Sequence, residues 1–518
     1  MNEPLHIVLR CAEALLPKVR YVFDTLFMAR GVPVRYASQP PSSGPWVLYG
    51  PAKERSWPLQ RCLAIAHCPE SWQFLDCHAD AEAAACVGGL TAVFPASRAG
   101  FESPPDIPFD VAANAFYFLS SWPERFGSNK GQTRSLFADS VFARLDVPQD
   151  VVDQYLDCLM RRLHALRGRF GAGEWNPPEW PQGAAYAVIL SHDVDFLPVN
   201  AIDVAMQGAK TVLRHLVRQR DPADALRAAA GLALALIRGR DPYGCVPEII
   251  EREKALGTRA SFQVAVGHRH PNDVNYRIED DRVRDYLRAI TDAGFDLCLH
   301  GSYRSTENPA WYAEEAALLA RRLGRPSGSR QHFLSFDYDA LFAAQEKAGI
   351  RYDMSMGFPD RTGPRSGFSY PYFPYCLKED RPYDVLQLNL FLMDVTLRGY
   401  LGLKGAGAWE VIKGALDDLR RKRGCASTVW HPIVFGGARD PGYDRLFWDM
   451  VNYARETGGL ATDGRTIDDF WRRRATNYSS FHQAGQAKIH PRTGGEMAHG
   501  AVACAEYESG GRGTGMMR

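Results

Sequence analysis

Acidic and imidazole side chains stand where short apolar runs stop, and that placement is the first sign of chemistry in this chain. Residues 185–190 give way abruptly to Ser191-His192-Asp193-Val194-Asp195. Residues 295–299 end in His300-Gly301-Ser302-Tyr303, and residues 427–430 run into His431-Pro432. Arg330-Gln331-His332 and Tyr352-Asp353 occupy two further candidate strand ends. Where parallel strands alternate with helices, the loops leaving the strands share one rim, so side chains from distant parts of the chain converge there. Carboxylates and imidazoles brought together in this way are the donor set of a divalent metal that keeps an open position for water. Asp193 and Asp195 are close enough to divide the work, one ionised on a metal and the other acting as general base. The competing account of this pair is a solvated cap on the following helix. For His300, His332 and His431 it is a hydrogen-bonded structural imidazole.

The elements that must position these residues follow from periodicity. Apolar runs at 185–190, 260–266 and 295–299 predict strands, and further strands are expected at 351–355, 385–388 and 427–430. Between the second and third runs, Val283, Tyr286, Leu287 and Ile290 fall at helical spacing, and Gly294 stands where a C-cap glycine belongs. Helices are expected at 311–323, 340–348 and 409–423, closed by Gly324, Gly349 and Gly424. This alternation predicts a parallel sheet or barrel over residues 185–474. Upstream, Trp46-Val47-Leu48-Tyr49 reads as a strand, and residues 151–166 as a helix with Val152, Tyr155, Leu159 and Leu163 on one face. Glycines at 168, 171 and 173 and prolines at 177, 178 and 181 mark a boundary, so a smaller α/β domain of residues 1–175 is expected in front. Residues 475–518, rich in Gly, His and Ser, are expected to be a disordered tail. Gly402, Gly405 and Gly407 follow no convincing strand, so a nucleotide site is not expected.

The whole chain bounds the answer. Its 518 residues exceed one ordinary domain of about 100–200, and 46% hydrophobic with 23% charged residues is globular composition. Sixty-one Lys+Arg against sixty Asp+Glu leave a net charge of +1, which gives nucleic acid no global field to follow. Met1-Asn2-Glu3-Pro4 lacks the basic flank and apolar core of a secretory signal, and no stretch approaches the roughly 18 apolar residues of a membrane span. Eleven cysteines, odd in number and with no C-x-x-C pair, argue against a disulfide framework or a thiolate zinc site. Cys62, His67, Cys68, Cys77 and His78 lie close in sequence but without zinc spacing, so buried thiols are expected there. A reducing cytoplasm is the expected compartment.

From about Ala185 onward the motifs resemble those of the polysaccharide deacetylase superfamily of carbohydrate N-deacetylases. The resemblance implies a distorted (β/α)₇ barrel, a divalent metal expected to be zinc, and a carbohydrate substrate. Ser191-His192-Asp193-Val194-Asp195 is similar to the family's first motif, which implies Asp193 as general base and Asp195 as metal ligand. His300-Gly301-Ser302-Tyr303-Arg304 keeps the first histidine of the H-[ST]-x-x-H motif and puts Arg304 where the second belongs. A guanidinium has no lone pair to offer. His332 is therefore the expected third ligand, with water the alternative. Val429-Trp430-His431 resembles the closing L-x-H motif and implies His431 as general acid, while Arg330 resembles the arginine that orients the base. Looser similarity runs through Gly357-Phe358-Pro359-Asp360, Arg365-Ser366-Gly367 and Met393-Asp394-Val395-Thr396-Leu397, and through residues 110–120. Ser302, Tyr303, Asp353, Arg365 and Trp430 are the expected substrate contacts, and Phe358, Tyr370, Tyr372 and Phe373 are further candidates for stacking on sugar faces. The implied activity is removal of an N-acetyl group from an amino sugar. Two rivals stay open: a glycoside hydrolase pairing Asp193 with a distant carboxylate such as Asp353, and a catalytically silent polysaccharide-binding or scaffold protein, favoured by the missing histidine at Arg304.

Overall fold

A computed structural model describes residues 3–51, 57–94, 105–127, 136–171, 173–176 and 179–478. Its architecture is mixed α/β with parallel sheets. Near the N-terminus, β1 (Leu5–Leu9), β2 (Val34–Ala37), β3 (Trp46–Tyr49) and β4 (Cys62–Ile65) pair in parallel in the order β2-β1-β3-β4. Helix α1 (Leu16–Ala29) crosses from β1 to β2 and is buried from Tyr21 to Ala29. Helix α2 (Val111–Leu119) is buried at every position. So apolar a helix can start inside the protein because Asp110 caps it, accepting a bond from Ala113 N at 2.9 Å. Helix α3 (Val151–Arg169) completes this part.

Among the described residues, the two parallel sheets of the larger part hold ten strands: β5 (Tyr186–Ile189), β6 (Ser191–Val194), β7 (Ser261–Val264), β8 (Asp296–Gly301), β9 (Gly328–Gln331), β10 (Tyr352–Asp353), β11 (Leu386–Gln387), β12 (Leu390–Met393), β13 (Cys425–Val429) and β14 (Gly459–Thr462). Six pair in the order β11-β10-β9-β8-β7-β6 and four in the order β12-β13-β5-β14, every pair parallel. Every residue within strands β5 to β13 is buried, as a parallel sheet covered on both faces requires. The two sheets share chain at both ends. Only Leu190 separates β5 from β6, and only Leu388 and Asn389 separate β11 from β12. Hydrogen bonds from Trp430 N to Ser191 O (3.0 Å) and from Ser427 N to Asn389 O (2.8 Å) cross the two joints.

Nine helices of this part matter here: α4 (Ala201–Leu213), α5 (Pro222–Ile237), α6 (Val246–Leu256), α7 (Asp281–Asp292), α8 (Pro309–Arg322), α9 (Tyr338–Ala348), α10 (Gly405–Lys422), α11 (Tyr443–Glu456) and α12 (Gly464–Tyr478). Gly294 and Gly349 follow α7 and α9 at φ +72° each, the left-handed stop expected of them. Helix α10 differs. Arg423 takes the left-handed position at φ +57°. Gly424 is instead needed for close approach, since a Cβ there would lie 2.6 Å from Ser369 O.

The stretch around residues 168–181 separates elements but not cores. One hydrophobic cluster runs from Ile7, Phe23 and Tyr117 through Ile189, Tyr352, Phe358 and Leu386 to Trp471. Polar contacts reinforce it: Ser369 N donates to Asp153 at 2.9 Å, and Tyr21 OH donates to Phe373 O at 2.8 Å. Helix α12 reaches Tyr478 with Ala475 fully buried, so ordered structure passes the point where a tail was expected to begin. Residues 479–518 lie outside the described residues. In the N-terminal part His67 meets Asp110 and Tyr49, while Cys62 and Cys68 are buried and Cys77 is exposed.

Candidate metal centre

Strand β6 ends at Val194, and the chain leaves it with Asp193 buried and Asp195 partly exposed. His300 comes from the end of β8, His332 follows β9, and His431 follows β13. All are brought to one rim. His300 Nε2 lies 3.2 Å from Asp195 Oδ1, His332 Nε2 lies 3.7 Å from Asp195 Oδ2, and His431 Nε2 lies 3.3 Å from the same oxygen. Asp195, His300 and His332 each offer one donor atom within 4.8 Å of the others. Asp195 Oδ1, His300 Nε2 and His332 Nδ1 are buried polar atoms that make no hydrogen bond among the described residues. His300 Nε2 and Asp195 Oδ1 face each other as an ion pair without a hydrogen bond, and a shared cation would satisfy both. One carboxylate and two imidazoles also suit a zinc-type site that keeps a position for water.

Two supporting pairs fix the groups beside this cluster. Arg330 is fully buried; its Nη1 donates to Asp193 Oδ1 at 2.5 Å and to Ser191 Oγ at 2.9 Å, while Nε donates to Met354 O at 3.0 Å. The guanidinium is thus held by three anchors and aims the Asp193 carboxylate. His431 Nδ1 donates to Asp394 Oδ1 at 2.7 Å, which leaves Nε2 facing the cluster. His300 Nδ1 donates to Arg330 O at 2.9 Å, and this likewise turns Nε2 inward.

The electrostatics follow from burial and these partners. Burial opposes charge on His431, but Asp394 and Asp195 outweigh it and push its pKa up to about 10. Burial also opposes charge on His300, yet Asp193 and Asp195 raise its pKa above the ordinary value. For Asp195 burial works against ionisation, and the His332, His300 and His431 imidazoles overcome it, holding the carboxyl well below the usual carboxylate range. Asp394 is also lowered: burial would raise it, but the His431 imidazole prevails.

The expected substrate contacts divide. Tyr303 is half-buried beside the site; its ring stacks on His270 at 4.5 Å and meets the edge of Phe333 at 5.6 Å, while Phe333 lies 4.5 Å from His332. Ser302 spends its hydroxyl and amide on Glu315, at 2.5 and 3.0 Å. Asp353 is fully buried and accepts from Gln345 Nε2 at 2.6 Å and from Ser355 N at 2.7 Å. Trp430 is also fully buried and donates its indole N–H to Tyr443 O at 3.0 Å. Arg365 forks onto Glu124 of the N-terminal part at 2.8 and 2.5 Å. Ser302, Asp353, Trp430 and Arg365 therefore spend their polar atoms inside the protein. Phe358, Tyr370, Tyr372 and Phe373 are buried in the core that joins the two parts.

Arg304 turns outward, half-exposed, and pairs with Glu307 at 3.4 Å. His192, between Ser191 and Asp193, points the other way: Nδ1 donates to Trp430 O at 2.7 Å and Nε2 faces Glu253 at 3.1 Å. Asp394 is the residue whose role the sequence reading left unassigned. Its signal was the one used elsewhere, a carboxylate directly after an apolar strand, here Leu390–Met393.

No protein-family model matches the chain, and no curated protein is significantly similar to it. Among solved structures, it is similar to a Mycobacterium smegmatis protein provisionally assigned as a polysaccharide deacetylase, at 17% identity and a TM-score of 0.38, over 62% of this chain and 98% of that one.

Proposed function

We propose that this protein is a metal-dependent hydrolase that removes an N-acetyl group from an amino sugar of a polysaccharide or glycan precursor. The reading of the fold that goes with it is a distorted (β/α)₇ barrel: β5 with β6, β7, β8, β9, β10, β11 with β12, and β13 would be its seven staves. The observation that carries the proposal is the meeting of three units at one rim, namely the Asp193–Arg330 pair, the Asp195, His300 and His332 cluster, and the His431–Asp394 pair.

Asp195, His300 and His332 would hold the metal, with zinc the expected ion; when bound, it would supply a Lewis acid that polarises the amide carbonyl and its attacking water. Asp193, aimed by Arg330, accepts a proton from that water as it attacks. His431 carries a proton at Nε2 and delivers it to the departing amine, which leaves poorly as an anion. Tyr303 and Phe333 offer aromatic faces beside the cluster, suited to the apolar face of a sugar ring. Acetate and a free amino sugar are the products.

The glycoside hydrolase alternative needs a second carboxylate facing substrate, and Asp353 is enclosed by Gln345 and Ser355. Incubation with N-acetylated amino-sugar oligosaccharides separates the two chemistries. Acetate release without chain shortening is expected, abolished by chelation and restored by added zinc. Shortened chains without acetate, or full activity in metal-free protein, would falsify the proposal.

A further inference from the structure

Helices α4 and α5 form a hairpin on the outside of the molecule, inserted directly after the strand that carries Asp193. Its inner face is well packed. A Cβ on Gly208 would lie 2.6 Å from Leu232 Cδ2, so the two helices touch through a glycine, and His215 bonds Arg439 O at 2.9 Å. The buried stripe of the first helix is Val204, Gly208, Thr211 and His215. A helix buried on that stripe should turn polar residues to solvent. Here the outer stripe carries Ile202, Met206, Leu213 and Val217, exposed by 67%, 50%, 60% and 66%, and α5 adds Leu226 at 72% and Ile237 at 82%. Nine of the fourteen exposed large hydrophobic side chains among the described residues lie between 202 and 237.

The charge of the same segment is one-sided. Residues 201–240 contain seven Lys or Arg against three Asp, in a chain whose net charge is only +1. The acids are occupied: Asp203 completes a capping box with Asn200, and Asp221 and Asp224 both pair with Lys404. Lys210, Arg218, Arg220, Arg238 and Arg240 are exposed and have no acidic partner among the described residues. Most sit at the hairpin's two ends, beside exposed apolar residues: Arg218 and Arg220 follow Leu216 and Val217, and Arg238 and Arg240 follow Leu236 and Ile237.

We propose that this hairpin is a peripheral docking surface for an anionic lipid membrane. Apolar side chains enter the boundary between headgroups and acyl chains while the surrounding cations meet lipid phosphates, the arrangement of an interfacial amphipathic helix. A second copy of the chain suits the face less well, because two such faces would bring unpaired cations together. Among the described residues no helix is long and apolar enough to cross a membrane; the attachment proposed is that of an interfacial helix, reversible and in the interface plane. Because the hairpin grows from the rim that carries Asp195, docking would hold that rim near the bilayer. This last consequence rests on the hydrolase reading; the docking does not.

Flotation of the full-length protein with vesicles tests it. Binding is expected to vesicles of phosphatidylglycerol mixed with phosphatidylcholine, to be weak with phosphatidylcholine alone, and to fall with salt. Paired Leu213→Glu and Leu226→Glu substitutions, or Arg218→Glu with Arg238→Glu, should each weaken binding at least tenfold, at about fivefold per cation. Both variants should keep the circular dichroism spectrum and the acetate release from soluble oligosaccharide of the parent. Absence of vesicle binding, or binding equal in parent and variants, overturns the proposal. So does a dimer in light scattering that the leucine variant abolishes. No acetate release from the parent protein, with its vesicle binding intact, would sink the hydrolase reading and leave the docking surface standing.

Discussion

Asp394 does for His431 what Arg330 does for Asp193: each is a buried partner that fixes the direction of a group beside the metal-type cluster. Under the proposed mechanism Asp193→Asn keeps the fold but removes the base. Its acetate release should fall by about 100-fold or more, in the range of general-base loss, and an unchanged rate would reject the assignment. Asp394→Asn removes the carboxylate that holds His431 charged up to about pH 10. In metal-free protein the His431 titration, followed by NMR, should move to lower pH. A titration that stays put would show that Asp394 does not control the imidazole. His332→Ala should lower metal content in elemental analysis, because Arg304 faces away from the site and cannot substitute for it.

At the scale of elements, the exit of β8 shows how backbone packing sets the site. Gly301 lets the chain pass Gln331, since a Cβ there would lie 2.3 Å from Gln331 Oε1. Gln331 Nε2 in turn holds Ser302 O at 2.6 Å and Ser305 Oγ at 2.8 Å. Gly301→Ala should therefore cost about 1–3 kcal/mol in denaturant unfolding and loosen His300 beside it. Glu315 on α8 ties down the same loop, and burial pushes its carboxyl up from 4.5 to about 7, against the opposing Ser302 bonds and Arg269. Because the folded protein binds this proton more tightly than the unfolded chain does, stability from this group is highest below pH 4.5 and falls as pH rises to about 7. The loss is up to about 3 kcal/mol. Glu315→Gln should lose less stability than the parent between pH 5 and 8 in thermal melts, and equal losses would contradict the account.

Over the whole molecule, the N-terminal α/β part is fastened to the larger part by an apolar core and buried ion pairs. Arg365 and Glu124 are both largely enclosed, so Arg365→Ala strands a buried carboxylate and should cost about 3–5 kcal/mol. A shared core also predicts one cooperative unfolding transition in calorimetry rather than two. Two separate transitions would mean that the parts fold as independent domains.

The sequence by itself determined the chemistry-bearing residue types and their positions at strand ends, because a change from apolar run to carboxylate or imidazole is local. It likewise determined helices such as α7 and α9, where periodicity and a closing glycine agree. Tertiary structure decided which of those residues meet. Arg330 reaches Asp193 across 137 positions, and His431 reaches Asp394 across 37. It also decided that Asp353, Trp430 and Arg365 spend their polar atoms internally, and that the glycine- and proline-rich stretch near 175 does not divide the core. Such outcomes depend on which distant surfaces are pressed together, and no window of local sequence carries that information.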